Sequence, residues 1–95
     1  MAPIRRLVLD VLTPYDPGTL ELSQEVAECS GVRGVNTMLV EADREVQNLK
    51  LTVEGDDVDY DAVSETVENL GGSIHSVDQV ACGDHLIEES GTFQD

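Results

Sequence analysis

The side chains best suited to chemistry in this chain form a scattered polar set: Asp10, Glu41, Asp43, Lys50, His75 and Asp78. Carboxylates at Asp10, Glu41 and Asp43 would suit a hard divalent ion such as Ca²⁺ or Mg²⁺, which takes oxygen ligands. With His75 and Asp78 they make five candidate metal ligands, although EF-hand spacing is absent. Asp10 is the most informative, because it interrupts the apolar run Leu7-Val8-Leu9-Asp10-Val11-Leu12. A covered carboxylate needs a partner. A structural ion pair with Lys50 or Arg6 is the favoured reading of Asp10, and a metal or ligand site is the alternative. In a regular strand His75 points away from Ile74, Ser76 and Asp78, so His75 and Asp78 reach one ion only across a bulge.

The elements that must position these residues follow from the apolar spacing. Residues 4–12 read as a strand, with Leu7, Leu9 and Val11 on one face and Arg6, Val8, Asp10 and Leu12 on the other. A turn spans residues 13–18, where Asp16 before Pro17 fits a helix N-cap followed by proline in the first turn. The helix runs to about residue 30, with Leu22, Val26 and Cys29 at helical spacing and Gly31 as its stop. Residues 34–43 and 46–54 form a hairpin, the second strand alternating Leu49, Leu51 and Val53 with Asn48, Lys50, Thr52 and Glu54. Asp59 caps a second helix with the stripe Tyr60, Val63, Val67 and Leu70, which ends at Gly71-Gly72 before a last strand over residues 73–82.

This order, βαββαβ, predicts an α+β ferredoxin-like fold: a four-stranded antiparallel sheet with two helices on one face. Residues 1–83 make the domain. Residues 84–95 make an acidic C-terminal tail whose Leu86, Ile87 and Phe93 either fray or pack on a neighbouring subunit.

Several chemistries known on such a fold lack their residues here. Soft-metal capture needs paired cysteines in the first turn, which has none, and Cys29 and Cys82 are isolated thiols. Acyl phosphate hydrolysis needs an arginine in that loop. RNA recognition needs aromatics on the first and third strands. Neither a Gly-rich phosphate loop nor a nucleophile elbow is present.

The charge sets the environment. Twenty Asp and Glu against five Lys and Arg give a net charge of −15, well beyond the magnitude of about 2–8 usual for a small domain. In dilute buffer this self-repulsion opposes the compact state, and about 1 M salt shortens the Debye length to about 3 Å and removes most of it. The carboxylates are spread along the chain and Lys50 is the sole lysine. The pattern predicts a halophilic, salt-adapted protein. A dedicated acidic partner surface is the rival reading. Nucleic acid is a poor partner for so few basic residues. Without a membrane-spanning run of about 18 apolar residues or a signal peptide, the expected location is cytoplasmic.

At these residues the sequence resembles an archaeal family catalogued as domain of unknown function 211. The resemblance rests on Leu7-Val8-Leu9-Asp10-Val11-Leu12 with Pro14, on Gly31-Val32-Arg33-Gly34-Val35-Asn36, on Glu41 with Asp43, and above all on Gly71-Gly72-Ser73-Ile74-His75-Ser76-Val77-Asp78 with Gly83. It implies a ferredoxin-like fold and ring-like homo-oligomers, and it carries over no activity. The acidity and the single lysine depart from the family's usual composition.

The leading expectation is therefore a non-enzymatic, self-assembling module whose open sheet face, last strand and tail make subunit contacts. The alternative is a small-ligand or divalent-metal-binding, sensing domain that uses Asp10, Glu41, Asp43, His75 and Asp78. An enzyme ranks last, since no nucleophile stands with a positioned base.

Overall fold

A computed structural model describes residues 1–88. The elements are β1 (Ile4–Pro14), α1 (Thr19–Ala27), β2 (Val32–Ala42), β3 (Val46–Gly55), α2 (Tyr60–Asn69) and β4 (Ser73–Cys82). The sheet order is β2-β3-β1-β4, and every neighbouring pair is antiparallel. This is the ferredoxin-like α+β fold that the order of elements predicts.

The alternation in the two central strands builds the core. Leu7, Leu9 and Val11 of β1 stand opposite Val53, Leu51 and Leu49 of β3, and all are buried. Leu22 and Val26 of α1, with Val63 and Val67 of α2, join the same cluster, so both helices cover that face. The intervening side chains of β1 and β3 are left on the other, open face.

The first helix departs from expectation. Asp16 is not its cap: α1 begins at Thr19 behind Gly18, and no side chain caps it. Gly18 has φ +100°, a left-handed conformation that separates Pro17 from the helix and suits glycine. The Gly18 carbonyl accepts the first helical bond, from Leu22 N at 3.1 Å. In α2 the expected cap is present, and Asp59 Oδ1 accepts from Ala62 N at 3.1 Å. The strands also outrun their predicted ends. β1 continues to Pro14 opposite Val46, and β2 starts at Val32 opposite Gly55, because each ladder continues to the ends of its partner.

Gly31 and Gly55 pack backbone to backbone where these strands end. A Cβ on Gly55 would lie 1.9 Å from the Gly31 carbonyl oxygen. Of the tail expected over residues 84–95, Phe93 lies outside the described residues. Among the described residues no helix is long and apolar enough to cross a membrane.

Candidate functional site

The open face carries Arg6, Val8, Asp10 and Leu12 from β1 beside Glu54, Thr52, Lys50 and Asn48 from β3 in direct register. Its polar side chains divide between two shallow depressions. The first, of about 410 Å³, is bordered by Asp10, Glu41, Asp43, Asn48 and His75. The second, of about 560 Å³, is bordered by Arg6, Lys50, Thr52, Asp78, Gln79 and Glu88.

Four candidate ligands, Asp10, Glu41, Asp43 and His75, thus surround one depression, and Asp78 lies in the other. Among the described residues no three His, Cys, Asp or Glu side chains are placed to hold a metal ion together. Two of the four carboxyl and imidazole groups are already engaged within the fold. Asp10 Oδ1 accepts a hydrogen bond from Asn48 Nδ2. Asp43 Oδ1 accepts from the backbone N–H groups of Glu45 and Val46, both at 2.9 Å, and closes the β2–β3 turn. The bond from Val46, then that from Glu45, holds the Asp43 carboxyl below its ordinary value. Tyr15 adds its hydroxyl as a donor to the Asp43 carbonyl.

The expected ion pair at Asp10 is absent among the described residues. Lys50 is its partner in register, yet its side chain borders the second depression, and Arg6 is committed elsewhere. Asn48, two residues from Lys50 on the same face, supplies the donor in place of the expected cation.

His75 and Asp78 share the open face by a route that strict alternation does not provide. The β1–β4 ladder shifts register between Val8 and Leu9 and again between Asp10 and Val11, leaving Asp78 and His75 without partners in β1. Each extra residue returns the next apolar side chain to the helix face. Ile74, Val77 and Val80 accordingly stand opposite Val11, Leu9 and Leu7. Their spacing of three was a readable sign of two bulges. Asp78 Oδ1 then accepts from Ser76 Oγ at 2.7 Å.

The strongest electrostatic arrangement was not anticipated. Arg6 Nε donates to Glu54 Oε2 at 2.6 Å, while Nη1 and Nη2 donate to Glu88 Oε1 and Oε2, each at 3.0 Å. This is a bidentate fork held in place by a third bond. The Glu88 bonds and then the Glu54 bond raise the affinity of Arg6 for its proton, and the Arg6 bonds lower the pKa of Glu88. Elsewhere, Ser23 Oγ donates to Thr19 O and is hydrogen-bonded to Thr37 Oγ1, tying α1 to β2. Cys29 and Cys82 are free thiols.

Residues 5–95 match the profile of the domain of unknown function 211 family, described as uncharacterized ArCR. The chain belongs to this family. It is also 43% identical over 95 residues to the uncharacterized protein MJ0319 of Methanocaldococcus jannaschii, covering 100% of this chain and 98% of that relative. The domain of unknown function 211 family and this archaeal relative carry descriptions that assign no activity. Membership agrees with the resemblance carried by Gly71-Gly72-Ser73-Ile74-His75-Ser76-Val77-Asp78.

Proposed function

We propose that this chain is a non-enzymatic, self-assembling module of a salt-rich archaeal cytoplasm, whose copies join through the outer strands of the sheet. The observation that carries this reading is a group of exposed apolar side chains on the outer strands of the sheet. Met38, Leu39 and Val40 are 53–60% exposed on β2, and Val77 and Val80 are 46% and 51% exposed on β4. These are the two outer strands, at opposite edges of the sheet. An unpaired, apolar edge invites another strand.

Chain direction supports the same pairing. β2 runs parallel to β1 and β4 antiparallel to it, so a continued sheet joins β4 of one copy antiparallel to β2 of the next. The two surfaces differ, which makes the contact heterologous and allows closure into a ring. The open face, expected to share in these contacts, is mainly polar and charged and suits them less well.

Salt enters because each copy brings a net charge of −15. Screening in strong salt lowers the repulsion between copies. Sedimentation velocity in about 2 M KCl, where screening is nearly complete, tests the proposal. A discrete oligomer is expected, and Val40→Lys or Val80→Lys should dissociate it. A monomer at every concentration would overturn self-assembly.

A further inference from the structure

Glu88 lies beyond the last strand, yet both of its carboxylate oxygens return to the sheet. The β1–β4 ladder ends where Gly83 N donates to Pro3 O at 2.9 Å. Gly83 has φ +112°, which turns the chain out of the strand. The segment then passes beside Arg5 and Arg33, where Leu86 borders a small depression, and brings Glu88 onto Arg6. Among the described residues, residues 84–88 make no other side-chain hydrogen bond to the domain. Ile87 is 71% exposed, so apolar burial adds little beyond half-buried Leu86.

We infer that residues 84–88 form a strap latched onto the open face by the Arg6–Glu88 fork, and that strong salt releases the strap while stabilising the domain beneath it. The two signs have separate causes. The domain gains from salt because repulsion among its excess carboxylates is screened. The latch loses from salt because it depends on attraction between opposite charges, and the Glu88 side chain is 68% exposed to counterions. Arg6 keeps an anchor on release, since Glu54 holds Nε at 2.6 Å.

Release changes what the open face can bind. With the strap in place, the second depression combines Arg6 and Lys50 with Glu54, Asp78 and Glu88. Without Glu88 the charges balance, and Arg6 directs Nη1 and Nη2 outward as a preformed fork for another carboxylate.

Nitrogen-15 relaxation on the deuterated full chain tests the inference, using wild type, Glu88→Gln and Leu86→Ala at about 0.1 M and about 2 M KCl. In wild type at the lower salt, amide order parameters for residues 84–88 should be near about 0.85. They should fall below about 0.6 in the higher salt, and at both salts in Glu88→Gln. Leu86→Ala should keep the wild-type pattern, and the melting temperature of all three proteins should rise with salt. Low order in wild type at 0.1 M would refute the strap. Unchanged order in Glu88→Gln, or its loss in Leu86→Ala, would refute the ionic latch. Equal order at both salts in wild type would refute salt release.

Discussion

Asp10 is satisfied by the side-chain amide of Asn48, although Lys50 stands directly opposite it in the β1–β3 register. A neutral donor thereby stabilises a half-buried carboxylate, and the lysine remains available to the second depression. Asn48→Leu removes the donor and leaves Asp10 against an apolar neighbour. A loss of about 1–3 kcal/mol is expected for this variant, while Lys50→Ala should stay within about 0.5 kcal/mol of wild type. Urea denaturation at one fixed salt concentration checks both. Equal losses would return the role to Lys50.

The turn after β2 carries a pH signature. Backbone donors hold Asp43 below its ordinary value, so its folded-state pKa lies below the unfolded one. Its contribution is complete above the unfolded value of about 4 and is lost as pH falls through the folded value. Asp43→Ala should therefore be less stable than wild type at neutral pH, with the difference shrinking once pH falls below about 4. Comparing the two proteins at each pH cancels the relief of general charge repulsion. A difference independent of pH would show that the carboxylate is not the source.

Two glycines separate close approach from mere flexibility. A Cβ on Gly55 meets the Gly31 carbonyl at 1.9 Å, whereas one on Gly34 meets nothing within 4 Å. Gly55→Ala must move one backbone segment and should cost about 2–4 kcal/mol. Gly34→Ala should be neutral or stabilise by up to about 1 kcal/mol, through the unfolded chain. Thermal melts of both variants make the comparison.

The four polar groups around the first depression give a simple expectation for divalent ions. Asp10 and Asp43 already accept hydrogen bonds, and no three ligands converge among the described residues. Millimolar Ca²⁺ or Mg²⁺ should leave the melting temperature unchanged at matched ionic strength. A rise of several degrees that Asp10→Asn abolishes would instead establish a cation site.

The readable parts of the fold were those where one periodicity persists. Leu7, Leu9 and Val11 against Leu49, Leu51 and Val53 announced two half-buried strands, and Asp59 ahead of Tyr60 and Val63 announced a capped helix. α1 was harder because Asp16-Pro17 carries cap chemistry, while Gly18 alone has the backbone freedom that the turn requires. The strand at residues 73–82 follows from the sequence, but the facing of His75 and Asp78 does not, because the apolar residues of β4 are spaced by three, which strict alternation cannot follow. The Arg6–Glu88 fork joins residues 82 positions apart. Neither residue lies in a local pattern that names the other, so the pair emerges only once the chain has turned at Gly83.

Four of the five register shifts place the extra residue in an outer strand, and the fifth passes over Arg5 near the start of β1. Pairing of β1 with β3 is unbroken from Arg6 to Pro14, whereas β2 slips around Arg33 and Val40, and β4 slips around His75 and Asp78. Missed rungs increase local twist and bend a strand. A flat fibril requires straight rims that stack without limit, and among the described residues both outer strands are bent by such shifts. The irregularities at these rims act as a brake on runaway growth and favour a closed set of copies over an endless ladder.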